Sequence, residues 1–180
     1  LATPTEDGNL TIDMPAITEF SGFHQLTAQW AAQYSIMFTQ WSSFEKLEAY
    51  AGGALAFEKQ ESFEDTYRFA LGATYNFDQD LTLRMGVAFD QSAAADHRSI
   101  SIPDSDRLWY SAGATYKLND TDSVDFAISY VNGDKVLVTE EDALLGQLPT
   151  SLSPLVGQKD WQFSSEGNAL LLAVQYNKIF

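Results

Sequence analysis

Few residues in this 180-residue chain have the chemistry that enzymes use. Cysteine is absent, which excludes a thiolate nucleophile and a thiolate zinc site. The two histidines, His24 and His97, lie in no metal-ligand spacing and in no nucleophile motif. The sequence therefore disfavours an enzyme and indicates neither a metal nor another cofactor. A serine and a histidine from distant segments would still allow a lipase-like barrel enzyme.

The other reactive groups are charges, and they are strongly unbalanced. The chain has 25 Asp+Glu against 10 Lys+Arg, which gives a net charge of -15. No basic surface is available to neutralise phosphates, so nucleic acid is excluded as a partner. Aromatic residues nevertheless make up 13 % of the chain, with 12 Phe, 8 Tyr and 4 Trp. Where these rings lie decides which class of protein this is.

Period-two alternation positions both the rings and the charges. From Tyr67 to Phe77, large apolar residues alternate with small or polar ones, which is typical of a strand with one apolar face. Pro15 interrupts the weakest of the other candidates and suits an edge, a bulge or a bend. The same alternation predicts six further strands, at Leu10–Phe20, Trp30–Trp41, Leu81–Phe89, Leu108–Leu118, Val124–Tyr130 and Leu170–Phe180.

The connections between these strands alternate in length. Short links at residues 27–29, 78–80 and 119–122 alternate with long polar or mixed links at 46–64, 91–106 and 135–160. Short turns at one end and long loops at the other are typical of bacterial outer-membrane barrels, whereas soluble β-sandwiches seldom separate loop lengths in this way. The predicted fold class is therefore all-β, a transmembrane antiparallel β-barrel.

Charged residues on the second face of the strands predict that this face lines a lumen. Lipid cannot satisfy charged side chains, whereas a lumen can pair them. Counting back from the short turns places Arg68 opposite Asp90 and Lys117 opposite Asp125. A solvated sheet face with incidental pairing is the alternative. The expected lumen charge network comprises Arg68, Arg84, Asp90, Arg107, Lys117, Asp125 and Glu166.

At this level of detail the sequence resembles a known family, the outer-membrane long-chain fatty acid transporters of the FadL type. The terminal Phe180 is also similar to the C-terminal aromatic residue of barrel proteins. The segments that carry the resemblance are Phe57–Phe63 leading into Tyr67-Arg68, Arg98–Arg107 followed by Trp109, Ser111–Tyr116, and Phe163–Gly167.

The resemblance implies a fourteen-stranded barrel of which this chain supplies about seven strands. An antiparallel bacterial barrel needs an even strand count, and an open half-barrel would leave two unpaired edges in lipid. We therefore expect residues 1–180 to be the C-terminal portion of one barrel domain, with the N-terminal hatch and the first strands absent. The expected partners are that N-terminal half and the lipid or detergent of the outer membrane. A closed dimer of two halves and a small eight-stranded barrel are the alternatives.

The resemblance also implies a function and a ligand site. Members of the family carry long-chain fatty acids or similar hydrophobic compounds passively through a pocket inside the barrel. Lys59 matches the family lysine near the bound carboxylate. The alternative is an exposed lysine paired with Glu58 or Glu61, and a purely structural or adhesive barrel is a further possibility. The apolar residues expected to line the pocket are Leu55, Phe57, Phe63 and Trp109.

One segment departs from the family pattern. The connection at 139–160 is longer and carries many aliphatic residues between positions 143 and 156. That much apolar surface on an outer loop needs a cover or a ligand. It suits either a landing surface for an amphipathic substrate or a packing surface for neighbouring loops.

Overall fold

The computed structural model describes residues 7–60, 62–94, 98–100, 102–141 and 160–180. Over these residues the chain forms twelve strands and one short 3-10 helix, Trp41–Ser43. The strands are β1 (Gly8–Thr11), β2 (Ile17–Gln25), β3 (Trp30–Thr39), β4 (Lys46–Ala51), β5 (Ala54–Gln60), β6 (Thr66–Asn76), β7 (Leu81–Asp90), β8 (Arg107–Lys117), β9 (Asp122–Gly133), β10 (Val136–Glu141), β11 (Asp160–Ser165) and β12 (Asn168–Lys178).

Seven strands form one antiparallel sheet in the spatial order β12-β9-β8-β7-β6-β3-β2. Strands that follow one another in this sheet are also neighbours, as in an up-and-down barrel wall. In the part of the chain described, β2 and β12 each pair on one side only. No helix among the described residues is long and apolar enough to cross a membrane.

Each strand of this sheet has an apolar face and a polar face. On β6, Tyr67, Phe69 and Leu71 lie on the apolar face and are exposed, Leu71 to 65 %. The apolar face continues across the sheet because the register pairs Leu71 with Tyr34 on β3 and with Val87 on β7. The alternation that predicted the strands therefore sorts the two faces over the whole sheet.

The predicted strands are confirmed except at the N-terminal edge. The single strand expected from Leu10 to Phe20 is wrong, because the chain forms two separate strands there, and Pro15 lies in the gap. Pro15 has no N–H to contribute to a ladder, so a continuous strand cannot run through it. β1 pairs with β4 in a small sheet, and β2 continues to Gln25 as an edge of the large one.

Two of the predicted long links contain hairpins that the sequence analysis treated as loop. β4 and β5 pair within residues 46–64, and their turn uses Gly52 and Gly53 at positive φ values of 57° and 81°. β10 lies within the third long link and pairs with β11, which begins at the end of that link and continues to Ser165. Glycine enters this left-handed region without the steric cost that a Cβ would bring. The segment 142–159, which holds the apolar residues of that link, and His97 lie outside the described residues.

Side-chain oxygens hold each of the three short turns. Asp78 accepts from the N–H groups of Asp80 and Leu81 at 2.9 and 2.8 Å. Asn119 accepts from the N–H of Asp122 at 2.9 Å, and Thr27 accepts from the N–H of Trp30 at 2.9 Å. Asx and Ser/Thr turns of this kind satisfy backbone donors that the strand ladder leaves unpaired.

The register after the third turn corrects one predicted charge pair. Arg68 lies opposite Asp90, as counting from the turn at 78–80 predicted. Lys117 lies opposite Ser123, however, and Thr115 is the residue opposite Asp125, so the predicted Lys117–Asp125 pair is wrong. The N–H of Leu118 donates to the carbonyl of Asp122 at 2.8 Å, so the turn closes two residues earlier than the sequence analysis assumed.

The loop end of the sheet holds its tightest backbone contact. The N–H of Gly133, at the end of β9, donates to the carbonyl oxygen of Gly167 at 2.9 Å. A Cβ at Gly133 would stand 2.6 Å from that same oxygen, whereas a Cβ at Gly167 would meet nothing within 4 Å. The two ends of one hydrogen bond therefore differ sharply in the space around them.

We expect Gly133→Ala to lower the free energy of unfolding by about 1–3 kcal/mol, because the backbone must shift to admit the methyl group. Urea unfolding of the intact protein in lipid vesicles measures this. The matched control, Gly167→Ala, should stay within about 0.5 kcal/mol of the wild type. Equal effects at the two positions would contradict the assignment.

Candidate ligand-binding site and lumen charge network

Lys59 lies on β5 at the end of a short apolar row. Phe57 and Lys59 point to the same side of the strand, and so do Ala49 and Leu47, which lie opposite them on β4, whereas a register shift at Ala49/Tyr50 places Leu55 opposite Tyr50 and so on the other side. Leu55 and Phe57 are about half exposed. The Lys59 ammonium donates to the hydroxyl of Ser99 at 2.9 Å, in the connection between β7 and β8. An ammonium beside an apolar row suits a ligand with one carboxylate and a hydrocarbon tail.

Phe63 lies in an aromatic cluster of its own rather than in this row. It stacks on Phe44 with the ring centroids 5.6 Å apart and meets Trp41 edge-on at 5.9 Å. Asp65 fixes the same segment, since its carboxylate accepts from the N–H of Ser42 at 2.9 Å. Phe63 thus packs between the short helix and the start of β6.

Trp109 lies on the polar face of β8 and contacts Arg68 across β7. The guanidinium carbon of Arg68 stands 5.4 Å from the indole centroid, a cation–π arrangement. Ala88 is the residue opposite Trp109 on the strand between them, and it is only 7 % exposed. A small residue there leaves room for the indole to lie across the wall.

Arg107 is the centre of the charge cluster at the loop end. Its guanidinium lies 3.7 Å from Asp90 and 3.2 Å from Asp104. Asp104 also accepts from the Ser92 hydroxyl and the Ala93 N–H, each at 3.0 Å. Ser92 is 1 % exposed, and its N–H donates to Asp106 at 2.8 Å, so the two ends of the connection between β7 and β8 pack on each other.

A second polar chain crosses four strands near the turn end. Arg84 on β7 donates to the Thr115 hydroxyl on β8 at 2.6 Å. Thr115 in turn donates to the carboxylate of Asp125 on β9. Asn177 on β12 donates to the other oxygen of Asp125 at 2.6 Å. Arg84 and Asp125 are therefore linked through the neutral hydroxyl of Thr115.

The expected charge network is thus two separate clusters, and two of its members belong to neither. Arg68, Asp90 and Arg107 lie at the loop end, and Arg84 and Asp125 lie at the turn end. Lys117 lies on β8 opposite Ser123, and its backbone N–H donates to the Asp80 carbonyl. Glu166 accepts a long contact of 3.5 Å from Asn168 in the connection before β12.

A family comparison accounts for this arrangement. The pattern of the family described as "Outer membrane protein transport protein (OMPP1/FadL/TodX)" matches residues 2–180. The chain belongs to this family. The predicted resemblance, the barrel fold class and the outer-membrane location are therefore confirmed, and the members of this FadL-type family are transport proteins.

Individual relatives agree with the family. The "Long-chain fatty acid transport protein" of Escherichia coli O6:H1 is 43 % identical over 178 residues, which is 98 % of this chain and 37 % of the relative. "Outer membrane protein P1" of Haemophilus influenzae is 41 % identical over 174 residues, 96 % of this chain and 37 % of the relative. The chain thus spans 37 % of the length of these curated relatives.

A solved structure shares the fold. The crystal structure of a Pseudomonas aeruginosa FadL homologue superposes with a TM-score of 0.80 at 24 % identity, over 95 % of this chain and 37 % of that chain. The seven-stranded sheet is accordingly part of an outer-membrane barrel wall, and in such barrels the polar face of the wall lies towards the lumen and the apolar face towards lipid.

Neutral polar residues are the part of the site that the sequence analysis missed in this FadL-type chain. Thr115 and Asn177 link the turn-end charges, and Ser92 and Ser99 hold the β7–β8 connection. The alternation could have identified Thr115, because this residue occupies a lumen-facing position. A search that considers only charged residues overlooks such neutral ones.

Thr115→Val should destabilise the barrel by about 1–3 kcal/mol, because a guanidinium and a carboxylate both lose their shared hydroxyl. Urea unfolding in lipid vesicles reports the loss. Ser123→Ala serves as the control, because it removes only the 3.4 Å contact that Ser123 makes with Asn177. It should change the free energy of unfolding by no more than about 0.5 kcal/mol. A Thr115→Val protein as stable as the control would refute the linkage.

Asp65 gives a pH prediction at the aromatic cluster. Hydrogen bonds from the Ser42 hydroxyl and then the Ser42 N–H hold the pKa of Asp65 below its ordinary value of 3.8. Its contribution to folding is therefore fully present above that value and is lost as the pH falls through the lowered pKa. Ser42→Ala should raise this pKa part of the way back, as an NMR titration would measure. Ser43→Ala should leave it unchanged.

Proposed function

We propose that the protein containing this chain carries long-chain fatty acids, or hydrophobic compounds of similar shape, across the outer membrane. The ligand moves by passive diffusion through a pocket inside the barrel, and Lys59 holds its carboxylate while Phe57, on the same side of β5, contacts its tail. Family membership supports the transport of a hydrophobic compound. The named activity of the 43 % identical relative supports the choice of fatty acid.

The Lys59 ammonium at the end of an apolar row is the observation that carries this proposal. A fatty acid presents one charged group and a long apolar chain, and β5 presents the complementary pair in the same order. The Ser99 hydroxyl accepts from the ammonium and stands where it offers a second polar contact for the carboxylate. A transporter gains selectivity from one such charge while the tail supplies most of the binding energy.

Small residues on the lumen face support a path below this site. Gly72 lies opposite Gly86, and Ser111 lies opposite Ser129, at the middle of the wall. Such positions keep side chains short where an acyl chain would pass. The charge clusters lie above and below this band of small residues rather than within it.

The complete barrel needs more strands than this chain supplies. Both edges of the seven-stranded sheet, β2 and β12, would expose backbone donors and acceptors to lipid if they stayed unpaired. We propose that the remaining N-terminal part of a longer polypeptide pairs with both edges, completes about fourteen strands and supplies the hatch. Outer-membrane lipid then covers the apolar face.

Lys59→Ala should weaken oleate binding by about tenfold in the full-length protein, because a charge-assisted contact to the carboxylate is lost. Lys59→Arg should retain most of the affinity. Lys46 on the same hairpin pairs with Glu48 at 2.6 Å and provides the matched control, since Lys46→Ala removes an equal charge away from the apolar row.

Equilibrium binding to the purified protein in detergent gives these affinities, and uptake into proteoliposomes tests the passage. Unchanged oleate affinity in Lys59→Ala would overturn the assignment of Lys59. Hydrolysis of fatty acyl esters by the purified protein would instead favour the lipase-like alternative, and the absence of saturable binding would favour a purely structural barrel.

A further inference from the structure

Arg68 is a lumen-facing cation whose nearest carboxylates are already engaged. Asp90 lies directly opposite it on β7, and the apolar Met37 lies opposite it on β3. Asp90 nevertheless forms its ion pair with Arg107, and so does Asp104. Among the described residues, Asp90 and Asp104 therefore pair with Arg107 and not with Arg68, although the 3.7 Å contact with Asp90 leaves Arg107 Nε without a hydrogen bond.

Trp109 holds the Arg68 side chain flat without satisfying its hydrogen-bond donors. The guanidinium lies over the indole at 5.4 Å. Within the described part of the chain, Arg68 Nε and Trp109 Nε1 are buried and have no hydrogen-bond partner. A half-buried cation that lacks hydrogen bonds costs free energy. Because Trp109 nevertheless keeps the Arg68 guanidinium in place, an anion that bound there would supply the missing hydrogen bonds.

We propose that Arg68, oriented by Trp109, is a second carboxylate-binding station, which receives the fatty acid head group after Lys59. The inference rests on the proposed function above. A guanidinium offers two parallel N–H donors to a carboxylate, a geometry that an ammonium lacks. The second station therefore binds the head group directionally, whereas Lys59 acts as a point charge.

One segment connects the surroundings of the two stations. Ser99, which contacts Lys59, and Asp104, which contacts Arg107, both lie in the connection between β7 and β8. Arg98 joins the described residues of this connection by donating to the Asp104 carbonyl at 2.8 Å. The connection therefore contacts both Lys59 and the loop-end cluster of which Arg68 is part.

The wall beyond Arg68 provides space for the tail. The next lumen-facing positions of β6 are Ala70 and Gly72, and Ala88 and Gly86 lie opposite them on β7. The Trp109 indole crosses the wall at Ala88, and the Gln33 side chain reaches to 3.0 Å from where a Cβ on Gly72 would stand. A head group at Arg68 can thus be followed by an acyl chain that lies against these two side chains.

A carboxylate side chain from the rest of the polypeptide is the other possible source of the anion. The two sources differ in one measurable respect. A ligand carboxylate makes the Arg68 contribution depend on the charge of the ligand, whereas an internal carboxylate makes it depend only on the protein. Oleate and oleyl alcohol, which share the same tail, separate these cases.

Arg68→Gln in the full-length protein should weaken oleate binding by about tenfold and leave oleyl alcohol binding unchanged. Arg68→Lys should retain part of the preference for oleate. Arg84→Gln is the matched control, because Arg84 also faces the lumen but donates to Thr115 at the turn end, and it should leave the oleate-to-alcohol ratio unchanged.

Tryptophan fluorescence gives an independent readout of the same station. Oleate should change the emission through Trp109, so the change should disappear in Trp109→Phe and in Arg68→Gln. A parallel loss of affinity for oleate and oleyl alcohol, together with a lower unfolding midpoint of the ligand-free protein, would assign Arg68 to an internal carboxylate and overturn the proposal.

The failure of this inference is distinguishable from the failure of the proposed function. If oleate binds to the wild type and needs Lys59 but not Arg68, only the second station is wrong. If the wild-type protein binds no oleate, then the proposed transport of fatty acids and the proposed second station are both wrong.

Discussion

Hydrogen bonding of the backbone is the constraint on which this structure depends. A strand in lipid cannot pair its N–H and C=O groups with water, so every one of them needs a neighbouring strand. The seven-stranded sheet meets this need over its interior by unbroken antiparallel registers from β2 to β12. Once the ladder fixes which residues face lipid, every second residue faces the lumen. The residues at alternate positions of each strand therefore determine which chemical groups line the lumen.

Charged and small residues occupy different parts of the lumen face. Charges gather at its two ends, where Arg107 meets two carboxylates and where Arg84 reaches Asp125 through Thr115. The middle carries smaller residues such as Gly72 and Gly86, and the Gln33 side chain lies beside Gly72 and donates to Thr74 at 2.6 Å. Polar contacts thus join neighbouring strands at both ends of the wall.

The sequence predicted the structure correctly wherever a single physical rule, such as the alternation of side chains along a strand, determined it. Alternation predicted the strands and their faces, and the turn at 78–80 predicted the Arg68–Asp90 register. Errors arose where a local detail decided the outcome: Pro15 divided one expected strand, and the turn held by Asn119 shifted Asp125 from Lys117 to Thr115. Counterions were the least predictable feature. The register places Asp90 between Arg68 on β6 and Arg107 on β8, and only the side-chain contacts show that Asp90 pairs with Arg107.

The three short turns have a consequence for the order in which the wall is made. Each is closed by an oxygen of its own residues, Thr27, Asp78 or Asn119, and needs nothing from elsewhere in the chain. The hairpins β2–β3, β6–β7 and β8–β9 can therefore nucleate locally, with a small loss of chain entropy on closure. The contacts between hairpins cross much longer stretches, such as residues 91–106, and close later. The alternation of short and long connections thus predicts assembly hairpin by hairpin, with each hairpin formed around its own turn before it pairs with the next.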